Sequence, residues 1–94
     1  MSGWEVQLDP GVDNWTRSLQ PSGPTIEELS ELADWAIRKT EVGPQGSTVA
    51  DARSMLYFDS LPSIRVYFHA EPSDAGKGLV RVLRVLPGRP PGGQ

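Results

Sequence analysis

Arg65, Tyr67 and His69 occupy every second position of the run Ile64-Arg65-Val66-Tyr67-Phe68-His69, with Ile64, Val66 and Phe68 between them. Successive side chains of a β-strand point to opposite faces, so this alternation makes one apolar face and one polar face. The three polar residues suit an anionic partner. A guanidinium keeps its charge and grips two oxygens of a phosphate at once, and a phenol ring offers a flat surface for stacking. Histidine, whose unperturbed pKa is about 6.5, exchanges a proton near neutrality. Each residue also has an ordinary role: Arg65 as the cross-strand partner of an Asp or Glu, Tyr67 as a half-buried sheet residue, His69 as a solvated strand end.

A second run, Leu79-Val80-Arg81-Val82-Leu83-Arg84-Val85, follows a Pro- and Gly-containing loop and again breaks an apolar pattern with arginines. Strict alternation sets Leu79, Arg81, Leu83 and Val85 against Val80, Val82, Arg84 and Leu86. Arg81 and Arg84 then face opposite sides, and both cannot join one site.

These strands sit in an acidic protein of 94 residues with net charge −3. The charge is segregated: residues 1 to 47 hold eight acids and three bases, residues 48 to 94 four acids and six bases. General nucleic-acid affinity rests on many Lys and Arg, so any polyanion contact must be local. The length fits one domain with one modest core. No apolar run approaches the roughly 20 residues that cross a bilayer, and Met1-Ser2-Gly3-Trp4-Glu5 does not read as a secretory leader, so the expected location is the cytoplasm. The absence of cysteine removes disulfides, thiolate zinc sites and a thiol nucleophile. With a single histidine and no carboxylate motif, neither metal nor cofactor is expected.

The remaining elements must position the two arginine-bearing strands. Trp4, Val6 and Leu8 alternate with polar residues in a short strand closed by Asp9-Pro10-Gly11. Val12, Trp15 and Leu19 recur at helical spacing, and Gln20-Pro21-Ser22-Gly23-Pro24 stops that segment. Thr25 and Glu28 form the Thr-x-x-Glu capping box of a helix over residues 25 to 41, ended by Gly43-Pro44. Its stripe of Ile26, Leu29, Leu32, Ala33, Ala36 and Ile37 is expected to pack inward, with Glu27, Glu28, Glu31, Asp34 and Arg38 in water. Trp15 and Trp35 are expected in the core or an interface.

Residues 45 to 51 form a polar connection, residues 52 to 58 a strand, and Asp59 to Ser63 a turn before the Ile64 strand. Residues 87 to 94, rich in Pro and Gly, make a tail expected to be disordered beyond a single domain of residues 1 to 86. The expectation is a two-layer α+β domain, βααβββ, whose antiparallel sheet packs one or two helices, with the Trp4 strand, on one face and leaves the other free.

That order resembles the RelE/ParE toxin superfamily over about residues 4 to 86, and is similar to its HigB-like, phage-derived branch. The resemblance is carried by Trp4-Glu5-Val6, Trp15-Thr16-Arg17-Ser18-Leu19, Gly43-Pro44 and Ile64-Arg65-Val66-Tyr67-Phe68. It implies the toxin of a toxin-antitoxin pair, an mRNA-cleaving endoribonuclease that inhibits translation at the ribosome, with an antitoxin protein as partner. It also implies Arg65 and Arg89 as phosphate-contacting arginines and Arg53 as a further base; on their own chemistry His69 joins Arg65 and Arg89 in the candidate catalytic set, and Tyr67 and Arg84 join Arg53 as candidate RNA contacts. The Lys-Glu-Leu-Arg-like basic segment of that branch is not present. RNA transesterification needs a deprotonated 2′-hydroxyl, a stabilised phosphate charge and a protonated leaving 5′-oxygen, for which Arg65 and His69 have suitable chemistry. Arg84 keeps a structural or antitoxin-facing role as its alternative. A ParE-like gyrase inhibitor and a non-catalytic protein-binding module of the same fold stay open.

Overall fold

The computed structural model describes residues 3–73 and 78–87. β1 (Trp4–Leu8) runs into α1 (Pro10–Thr16), whose first turn accepts Pro10 because the nitrogen there has no helical partner to lose. α2 (Ile26–Val42) begins at the expected capping box: the Glu28 amide donates to Thr25 Oγ1 at 3.1 Å and the Thr25 amide to Glu28 Oε1 at 2.9 Å. It ends at Gly43, whose φ of +57° suits glycine. Four further strands follow, β2 (Thr48–Asp51), β3 (Leu56–Ser60), β4 (Ile64–Pro72) and β5 (Gly78–Pro87).

The strands form one five-stranded sheet in the order β1-β5-β4-β3-β2. This is an α+β fold, but the sheet is mixed, because β1 lies parallel to β5 while β2 to β5 pair antiparallel. The Trp4 strand is thus an edge of the sheet and does not cover it. β2 arises within the expected connection, where four exposed residues satisfy the outer hydrogen bonds of β3. β3 starts at Leu56 and carries Asp59 and Ser60 inside the strand, where a turn was expected. The expected tail begins at Pro87, which instead ends β5 opposite Ile64; residues 88 to 94 lie outside the described residues.

The core lies between the helices and one sheet face: Val12, Leu32 and Trp35 meet Ile64, Val66, Phe68, Ala70, Val80 and Val82. α2 is rotated from the expected stripe. Glu28, Leu32, Trp35 and Lys39 face inward, whereas Ile37 is 64% and Ile26 83% exposed. Trp35 sets that rotation. Its ring meets Phe68 edge-on at a centroid distance of 5.3 Å, and Nε1 donates to Asp59 Oδ2 at 2.6 Å. Beside it, Lys39 Nζ stands 2.9 Å from Asp59 Oδ2 and donates to Ser47 Oγ at 2.7 Å. A lysine is tolerated here because its charge is paired and its hydrogen bonds are made. Burial pushes the Asp59 carboxyl upward, but hydrogen bonds from Lys39, Trp35 and Ser47, with the Lys39 charge, outweigh it and hold the group below the usual carboxylate range.

At the β1 edge, the Trp4 ring sits against Gly43 and Gly78, and a Cβ at either glycine would run into it. No helix among the described residues is long and apolar enough to cross a membrane.

Candidate nucleic-acid interface

The sheet face turned away from the helices is ordered by a β-bulge. Between Tyr67 and Phe68 the register steps from Arg84 to Val82, leaving Leu83 as the extra residue of β5. Leu83 turns inward with Val85, where both line a cleft with Val12 and Trp15. Both arginines therefore reach the outer face, exposed, and the expectation that Arg81 and Arg84 lie on opposite faces is overturned.

Cross-strand neighbours share a face, so this side reads as rows running across the sheet. The first row is Ser60, Arg65 and Leu86, and the second is Thr48, Phe58, Tyr67 and Arg84. The third is Asp51, Leu56, His69, Arg81 and Gln7. The fourth is Glu71, Leu79 and Glu5. Three rows each carry one arginine, the third also has Asp51 at its β2 end, and the last carries two carboxylates.

Arg65 has no acidic partner among the described residues, contrary to its ordinary role. Its Nε donates to Ser60 Oγ at 3.1 Å, and its guanidinium carbon lies 5.0 Å from the Phe58 ring centroid. This aims the side chain while leaving its terminal nitrogens unspent. Phe58 in turn meets Tyr67 at 5.5 Å with the rings tilted by 36°. Asp59, between Phe58 and Ser60, is held from the other side by Trp35 and Lys39, so the buried polar network fixes the strand that presents the aromatic pair.

Arg65, Tyr67 and His69 share this face as expected, but Arg65 and His69 stand four residues apart, about 13 Å along the strand. The cation across from His69 is Arg81, which strict alternation separates from Arg84. Its sequence signal is the spacing of two arginines three apart inside an apolar strand. Arg53 lies in the β2–β3 turn, where its amide donates to Asp51 Oδ1 at 3.1 Å, and that turn adjoins the His69 row because the Ala70 amide donates to the Met55 carbonyl. Arg89 lies outside the described residues. Trp35 is buried and Trp15 packs on the core, so neither forms a platform. Among the described residues no group of three His, Asp or Glu side chains is placed to hold a metal ion.

Comparison of the chain with protein-family models, with curated proteins and with solved structures finds no match. What fold and face define is a small α+β domain with a mixed sheet whose exposed side carries arginines around an aromatic pair.

Proposed function

We propose that this chain is an RNA-binding and RNA-cleaving protein, the toxin of a toxin-antitoxin pair in the RelE/ParE manner, acting on mRNA through its open sheet face. The observation that carries the reading is the second and third rows, which set Arg84 beside Tyr67 and Phe58, and Arg81 beside His69. Arginines beside stacking rings are what single-stranded RNA requires, because phosphates supply charge and unstacked bases supply flat faces.

In cleavage, neutral His69 takes the 2′-hydroxyl proton, and the freed oxygen attacks the adjacent phosphorus. The bond to the 5′-oxygen breaks, leaving a 2′,3′-cyclic phosphate and a 5′-hydroxyl whose proton comes from water. The imidazolium then returns its proton to the hydroxide so formed. Arg81 faces the non-bridging oxygens, where charge accumulates. Expression of the chain alone in bacteria tests the proposal: growth should arrest with transcripts cut. Unaffected growth at high expression, with no RNA cut by the purified protein, would end it.

One observation favours the second reading, a protein-binding module. A groove of about 470 Å³ is lined by Val6, Leu8, Leu29, Ala33, Ala36 and Ile37. Asp34 and Glu41 follow Ile37 around the helix, so the groove suits an amphipathic segment with basic flanks. Binding of such a synthetic peptide to the wild type and not to Ala33→Asp, with no RNA bound, would favour this reading.

A further inference from the structure

We infer that the open face takes single-stranded RNA lengthwise, along β4 and β5, with consecutive phosphates on Arg65, Arg84 and Arg81 and a base against Tyr67 and Phe58. The inference rests on the reading above that this face binds RNA, and adds the path and its length.

Spacing carries it first. Neighbouring rows are two residues of β4 apart, about 6.7 Å, close to the separation of adjacent phosphates in an extended single strand. A strand laid across the sheet meets one arginine per row. Only a lengthwise path collects all of them.

Charge then bounds the path. In the fourth row Glu5 and Glu71 flank Leu79, where a phosphate would be repelled. Beyond Arg65, the first row holds Ser60 and Leu86, and no further cation lies on the face among the described residues. The run is therefore three phosphates long and ends in repulsion on one side only.

The protein is also prepared for it. Arg65 is aimed by Ser60 and Phe58, and none of the three arginines has a carboxylate partner among the described residues. Leu83 is the register device: were it paired opposite Tyr67 in strict alternation instead of bulged out, Arg84 would turn toward the core and the middle phosphate would lose its cation.

Fluorescence anisotropy of a labelled twelve-nucleotide oligouridylate, titrated with salt, tests this. Each phosphate neutralised on a single strand contributes a slope of about −0.7 in log affinity against log salt, so the wild type should show about −2. Arg65→Gln, Arg84→Gln and Arg81→Gln should each remove about 0.7, and Glu71→Lys should add about as much. Circular dichroism checks that each surface variant keeps its fold. If the wild type binds but any one arginine change leaves the slope unchanged, the three-phosphate path is overturned while the RNA reading stands. If the wild type binds no RNA at any salt, both fall together.

Discussion

Arg84 lies directly across from Tyr67 on the outer sheet face because Leu83 is one residue too many for β4 to match. In the proposed complex, the charge for a phosphate and the ring for a base thus come from different strands. Tyr67→Ala should weaken RNA binding by about 1–3 kcal/mol, the range for loss of one stacking contact, without changing the salt slope. A change in slope with unchanged low-salt affinity would count against Tyr67 as a stacking residue. Affinities measured across a salt series decide it.

His69 and Arg81 share a row that Arg65 does not reach. His69→Ala should therefore lower cleavage by about 10²- to 10⁴-fold, the usual contribution of a general base. Arg65→Ala should act mainly on KM, since in the proposed path it holds a phosphate two along from the one that is cut. Single-turnover cleavage of a defined RNA separates the two effects. The assignment fails if Arg65→Ala abolishes the chemical step and His69→Ala leaves it intact.

Asp59 and Lys39 should show their coupling in stability. Asp59→Ala leaves a buried ammonium without its counter-charge and should cost about 3–5 kcal/mol, as broken buried pairs do. Lys39→Met should cost less, because Trp35 still donates to the carboxylate. The double variant should recover part of the loss. Urea denaturation of the three chains measures this, and additive losses would show that the pair is not coupled.

The same carboxyl sets an acid limb. Its native pKa is lowered, so its stabilisation is fully present above the unfolded value of about 3.9 and is lost as pH falls through the native value. Stability measured from pH 6 downward should fall below about pH 4 in the wild type and fall less steeply in Asp59→Asn. Parallel curves would remove Asp59 from the explanation.

Gly78→Ala should destabilise by pressing a methyl into the Trp4 ring. Because Gly78 has no positive φ, the loss reports packing alone, and Trp4→Leu in the same chain should restore part of it. At Gly43, where φ is +57°, the same rescue should be incomplete because backbone strain persists. Thermal melts of the single and double variants distinguish the cases.

Local rules made several of these features readable. Thr25 and Glu28 announced the helix start because a capping box involves only neighbours in sequence. The alternation of Arg65, Tyr67 and His69 survived because β4 is regular through those residues. Other features depend on partners distant in the chain. Alternation applied through Leu83 turned Arg84 inward, since a bulge is dictated by the facing strand and not by its own sequence. Thr48 to Asp51 has no buried side chain and forms a strand only because β3 offers an edge. The rotation of α2 follows from Trp35 and Lys39 both seeking Asp59, a partner in another element.

The parallel pairing of β1 with β5 also governs how the chain reaches its fold. Trp4 waits for Gly78, and Leu8 for Val82, whereas β2 to β5 join through adjacent hairpins. Loop-closure entropy makes such distant pairing slow, so the meander and its arginine-bearing face assemble early and the first strand locks on last. During synthesis the basic face would precede the closed sheet. Low φ-values at Val6 beside high ones at Val66 in refolding kinetics would reveal that order, and the reverse pattern would exclude it.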